Sequence, residues 1–133
     1  MYLSIQIEGR FDPCSFSNEQ QLIATGDAFL KATVGEIMNS RAWNGNSVIF
    51  ITWDESDFPF NDVSGCCDAV PGGGHVIMLT ISQSDHSART SNVAYNHYSM
   101  LTTIEGGWNL GCLANTCDTA NVTPMSDLVG PQG

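Results

Sequence analysis

The feature that most constrains this chain is the run Val48-Ile49-Phe50-Ile51-Thr52-Trp53, apolar or β-branched throughout and without polar alternation. A strand with one wet face alternates; an unbroken run predicts a strand covered on both faces, and therefore an α/β fold with helices packed on a sheet. The run stops at two adjacent carboxylates, Asp54 and Glu55, and then enters the turn-rich segment Ser56 to Gly74. In open α/β sheets ligands bind beyond the carboxyl ends of strands. A strand that delivers two acids to its own C-terminal end thus points to a site for a metal ion. The plainer alternative is that the acids open a solvated loop, a common arrangement at strand ends.

Before that run, Leu3, Ile5 and Ile7 alternate with polar neighbours, as in a short edge strand. Asp12-Pro13 breaks the pattern and begins a loop through Asn18. From Asp27 the spacing turns helical: Phe29, Leu30, Val34, Ile37 and Met38 share one face, and Asp27 is placed to cap or charge the helix start. Asn39 to Asn46 reads as a loop feeding the strand at Val48. Downstream, Val76 to Ile81 is a second apolar run and reads as another buried strand, followed by polar, irregular sequence from Ser82 to Tyr95. A helix should open at Asn96, carry the stripe Met100, Leu101, Ile104 and Trp108, and end at Gly106-Gly107. Residues 109–133 read as a disulfide-linked loop and tail.

The chain has 133 residues, 42% hydrophobic and 14% charged, enough for one domain with a core. Four basic residues against fourteen acidic ones give a net charge of −10, which excludes tracking of a phosphate backbone and so disfavours nucleic acid as a partner. The same excess suits cation binding, or solubility alone. No apolar run approaches the ~20 residues of a transmembrane helix. Residues Met1 to Arg10 show neither the basic nor the apolar part of a secretory leader.

Five cysteines, Cys14, Cys66, Cys67, Cys112 and Cys117, are many for this length and favour an oxidising, extracytoplasmic location. Cys112 and Cys117 are spaced for a disulfide around a short loop. The neighbours Cys66 and Cys67 are strained partners for each other, so one of them is expected to pair at a distance, most simply with Cys14. A zinc site competes with this reading but lacks a Cys-x-x-Cys knuckle.

Asp54 and Glu55 are hard oxygen donors on one rigid element, suited to calcium, magnesium or manganese, or to zinc mixed with histidine. His75 follows the glycines 72–74, where a loop can fold tightly on a ligand; a contact with solvent or a carbonyl is the plainer reading. His97 falls in the first turn of the expected helix, where free N–H groups favour an anion such as phosphate; a hydrogen bond to the preceding loop is the alternative. The glycine run lacks the Lys-Ser/Thr of a P-loop. Asp85-His86 is a weak metal pair, and no nucleophile elbow or Ser-His-Asp arrangement is present.

Taken in order, 46–55 (NSVIFITWDE), 71–76 (PGGGHV) and 95–105 (YNHYSMLTTIE) resemble the C-terminal third of the phosphoesterase family, which contains bacterial phospholipases C and acid phosphatase within the alkaline phosphatase superfamily. Residues 26–30 (GDAFL), Trp43, 112–118 and 122–125 also fit, so the likeness runs over roughly residues 12 to 129. The resemblance implies an α/β/α sandwich of the alkaline phosphatase type, with residues 1–133 forming its C-terminal part. It implies that Asp54 and Glu55 are metal ligands for a divalent ion, and that His97 is a residue near the reacting groups. His75 matches some branches of the family, others carrying arginine there. The implied function is metal-dependent hydrolysis of a phosphomonoester or a phospholipid headgroup. The family's hydroxyl nucleophile and its Glu-Asn metal ligands belong to a region upstream, so the isolated chain is expected to be inactive and to partner the missing N-terminal part of the same domain. A non-catalytic metal-binding or secreted interaction module is the alternative.

Overall fold

The computed structural model describes residues 16–56, 63–67 and 71–130. They fall into two compact units, divided between Asn44 and Gly45. The expected edge strand of Leu3, Ile5 and Ile7 lies outside the described residues.

Among the described residues the first unit holds one long helix, α1 (Phe16–Met38). It begins well before Asp27, which therefore lies in the helix interior and caps nothing. The cause is local: Glu19, Gln20, Gln21, Leu22 and Ala24 are good helix formers, and they carry the helix through Gly26, whose cost of about 1 kcal/mol is too small to end it. At the other end the carbonyls left open by the last turn are satisfied locally. Asn39 donates to Gly35 O from both its backbone N (3.1 Å) and its Nδ2 (2.8 Å), and Ser40 donates to Ile37 O from N (3.0 Å) and Oγ (2.7 Å). Along the expected apolar face, Leu30, Val34 and Ile37 are half-buried, while Phe29 and Met38 are exposed.

The second unit holds strands β1 (Val48–Thr52) and β2 (Met78–Ser82), helix α2 (His97–Gly107), a 3-10 turn at Ala114–Cys117 and the short helix α3 (Ser126–Val129). The mixture of helix and strand is compatible with an α/β protein, and the sheet itself is a two-stranded antiparallel ribbon. Its register pairs Val48 with Ser82 and Thr52 with Met78. Neither strand is covered on both faces, contrary to what their unbroken apolar runs predict. All of β1 is half-buried, and Ile77 and Leu79 at the second apolar run are 50% and 49% exposed. Among the described residues β1 and β2 have only each other as strand neighbours, and α3 packs on β2.

The core lies elsewhere, in the stretch expected to be a tail. Met125 is fully buried, and Val122 and Val129 nearly so. The face of α2 turned to them is not the stripe of Met100, Leu101, Ile104 and Trp108. Trp108 is 69% exposed, whereas Ser99, Thr103 and Glu105 are buried. The reason is a hydrogen bond: Thr103 Oγ1 donates to Ser99 O (2.6 Å) and accepts from Met125 N (2.8 Å), so a small hydroxyl face lets the 122–129 segment approach the helix and satisfies a buried amide.

The bridge between Cys112 and Cys117 is present, with Cα atoms 5.1 Å apart, within the usual range. The other expected pairing is corrected. Cys66 is bonded to Cys67, not to a distant cysteine. The chain turns at these residues, with Cys67 in the left-handed region at φ 62°, and the turn brings the neighbouring sulfurs together. Cys14 lies outside the described residues. With these four sulfurs in disulfides, the zinc alternative loses its ligands.

Candidate functional site

Three separate stretches meet at the C-terminal end of β1. The strand closes on Thr52, whose Oγ1 donates across the ladder to Ile77 O (2.7 Å). Asp54 and Glu55 follow, both exposed, with Glu55 N donating to Asp54 Oδ1 (3.1 Å). This holds one Asp54 carboxylate oxygen against the backbone.

The glycine run lies against this pair. Ser56 N donates to Gly73 O (2.7 Å), and a Cβ on Gly73 would stand 3.3 Å from Glu55 Cβ and 3.5 Å from Asp54 O. Only glycine fits at position 72, where a Cβ would meet Ser64 O at 2.2 Å and Gly65 Cα at 2.4 Å. Gly72 N and Gly74 N donate to Val63 O and Ser64 O, each at 3.0 Å, so residues 63–65 back the run. Gly74 adopts φ 75° and hands the chain to His75, which is exposed.

The third stretch is the start of α2. Asn96 caps it in both directions: its Oδ1 accepts from Ser99 N (3.0 Å), and its own N donates to Ser99 Oγ (3.3 Å). Its Nδ2 also donates to Asn121 O (3.3 Å). The cap sets the first residue of the helix, His97, with Nε2 2.8 Å from Trp53 O, the carbonyl just before Asp54. A carbonyl oxygen only accepts, so Nε2 carries the proton here. In the neutral ring Nδ1 is then left as an acceptor.

The structure therefore brings His97 and the glycine run to Asp54 and Glu55. As a metal centre the pair has the right donor chemistry, hard oxygens on one element, but it is a partial shell. Among the described residues no group of three or more His, Cys, Asp or Glu is close enough to hold an ion.

A second polar cluster escaped sequence reading. Asp127, in α3, accepts from Ser91 Oγ at 2.6 Å and from the Tyr95 hydroxyl, and Arg89 pairs with Asp85 at 2.6 Å. The hydrogen bonds from Ser91 and then Tyr95 hold the Asp127 carboxyl below its ordinary range; burial, and then Asp127 itself, push the Tyr95 hydroxyl up. This cluster ties residue 95, next to the helix cap, to α3. Asn121 also escaped, because it acts through its backbone carbonyl and no side-chain type signals that.

The profile of the phosphoesterase family matches residues 17–111, well over half of the chain. The chain belongs to the phosphoesterase family. No curated protein and no solved structure matches it. The matched span contains Asp54, Glu55, the glycine run and His97, and family membership carries a phosphoester hydrolase-type function. No helix among the described residues is long and apolar enough to cross a membrane.

Proposed function

We propose that this chain supplies the metal-holding part of a phosphoester hydrolase, with Asp54 and Glu55 as two ligands of one divalent ion. The observation that carries the reading is the convergence of the strand-end acids, the glycine run and His97 inside the family span. A divalent ion held by Asp54 and Glu55, whether calcium, magnesium, manganese or zinc, would supply charge that polarises a phosphoryl oxygen and lowers the pKa of an attacking hydroxyl. The chain's own groups do the rest. Asp54 and Glu55 hold and neutralise the cation. His97, its Nε2–H spent on Trp53 O, keeps Nδ1 as the atom that takes a proton near the reacting group. The glycine run brings backbone close to the carboxylates without side-chain bulk, which admits a phosphate-sized group, and His75 closes that edge.

In this reading α1, β1, β2 and α2 belong to the C-terminal part of an α/β/α sandwich of the alkaline phosphatase type. The hydroxyl nucleophile and the remaining metal ligands come from an upstream segment of the same domain. The substrate is a phosphomonoester or a phospholipid headgroup, and the disulfides fit a secreted protein. The alone-standing chain then turns over poorly, since nucleophile and metal shell act as a unit and losing either costs several powers of ten. The alternative is a non-catalytic metal-binding or secreted interaction module.

The experiment pairs calorimetric titration of calcium, magnesium, manganese and zinc with hydrolysis of p-nitrophenyl phosphate and phosphatidylcholine. Metal binding lost in Asp54→Ala, with turnover appearing when the upstream segment is added, supports the hydrolase reading. Metal binding without turnover in the combined protein supports the module. No binding of any of the four ions to either preparation overturns the role given to Asp54 and Glu55.

A further inference from the structure

We propose that the Cys66–Cys67 bridge is a redox modification site through which a dithiol loosens the two elements bordering Asp54 and Glu55. The inference rests on the site reading above only for its effect on metal affinity; its structural part stands alone.

The bridge adjoins both elements. On one side, the chain just before it, Val63 to Gly65, backs the glycine run: Val63 O and Ser64 O accept from Gly72 N and Gly74 N, and Gly72 packs where no Cβ fits. The run in turn touches Glu55 through Gly73 and holds Ser56 N. On the other side, Cys66 Sγ lies 3.9 Å from Asn121 O, the same carbonyl that accepts from Asn96 Nδ2. Asn96 is the cap that sets His97 on Trp53 O. One covalent link thus borders both supports of the candidate site.

The bridge also fixes a backbone that has little reason to persist without it. Cys67 is a non-glycine residue at φ 62°, a left-handed conformation such residues adopt mainly when held there. Both sulfur-bearing residues are part-exposed, so a thiolate can reach them. A thiolate of the dithiol attacks one sulfur, breaking the S–S bond and forming a mixed disulfide. The second thiolate then displaces the protein sulfur. Two electrons and two protons pass to the protein, leaving Cys66 and Cys67 as thiols and the dithiol as its cyclic disulfide. Freed of the ring, residue 67 relaxes, and residues 63–65 loosen with it.

The test uses the full chain with dithiothreitol, amide hydrogen exchange as the main readout and manganese titration as the second. Thiol labelling of Cys66 and Cys67 verifies reduction. Exchange at Ser56, Gly72 and Gly74 should quicken at least tenfold, and manganese affinity should fall about tenfold or more, the usual effect of disturbing groups that orient ligands. The double variant Cys66→Ser with Cys67→Ser, which keeps Cys112–Cys117, should show the loosened state without reductant and no further change on adding it. Unchanged exchange after verified reduction overturns the proposal. So does a double variant that still responds, because the response then belongs to Cys112–Cys117. If the amides respond while manganese binds neither state, the redox site stands and the metal role of Asp54 and Glu55 falls.

Discussion

Replacing Asn96 by alanine tests how α2 is fixed at the candidate site. The substitution removes two different interactions. The first is the cap, in which Oδ1 accepts from Ser99 N at 3.0 Å; losing a cap of this kind costs about 1 kcal/mol. The second is the bond from Nδ2 to Asn121 O at 3.3 Å, an exposed hydrogen bond worth about 0.5–1 kcal/mol. Together they predict a loss of about 1.5–2 kcal/mol. Asn96→Asp separates the two, since it keeps the acceptor for Ser99 N and loses only the donor. Its carboxylate faces Asn121 O unfavourably but sits at the positive end of the helix, which returns about 0.3–1 kcal/mol. The net loss for aspartate is then under about 1 kcal/mol. Urea unfolding followed by circular dichroism measures both. With a slope of about 1.5 kcal/mol per molar, alanine should lower the midpoint by about 1–1.3 M and aspartate by less than about 0.7 M. Alanine within about 0.5 kcal/mol of the parent, the size of an ordinary surface change, would refute the cap and loop bond assigned to Asn96, and aspartate as damaging as alanine would refute the division between the two.

Thr103→Val, nearly isosteric and more apolar, should destabilise by about 2 kcal/mol because Met125 N is left buried without its acceptor, and a stability gain in urea unfolding would contradict the polar core. Gly72→Ala should cost about 3 kcal/mol, since its Cβ meets Ser64 O at 2.2 Å, while Gly73→Ala, 3.3 Å from Glu55 Cβ, should cost under about 1 kcal/mol; equal thermal midpoints would refute the packing described. Asp127, whose folded pKa is depressed by Ser91 and Tyr95, contributes stability that is present above the unfolded value of about 3.9 and lost as pH falls through the lower folded value. Asp127→Asn should therefore flatten the decline of stability below about pH 4, and an unchanged acid profile would count against those hydrogen bonds.

Local signals in the sequence carried furthest where the structure is made by neighbours. Asn96 was legible as a cap because a cap needs only the next turn, and Val48 to Thr52 was legible as a strand because β-branched residues prefer one. The position of Asp54 and Glu55 at the strand's end follows directly from that. Long-range partners were not legible. The stripe of Met100, Leu101, Ile104 and Trp108 has helical spacing, yet the buried face holds Ser99, Thr103 and Glu105, because Met125 supplies an amide that wants a hydroxyl. Gly26-Asp27 looked like a boundary, but the residues on both sides outvote one glycine. The Cys66–Cys67 bridge depends on a left-handed turn that residue types do not announce. Nor does the sequence reveal that Asn96 and Cys66 approach the same carbonyl, at Asn121.

The hydroxyl contact at Thr103 has a mechanical consequence. Apolar packing resists separation of two elements but allows one to roll, because dispersion has no preferred direction. A hydrogen bond does. The link from Thr103 Oγ1 to Met125 N engages α2 as a tooth engages a gear and fixes its azimuth. His97 rides on the same shaft. With side chains about 5 Å from the axis, a roll of about 20° would swing the imidazole by nearly 2 Å, enough to take Nε2 off Trp53 O. The angular setting of a histidine at one end of the helix is thus held by a buried threonine in its middle.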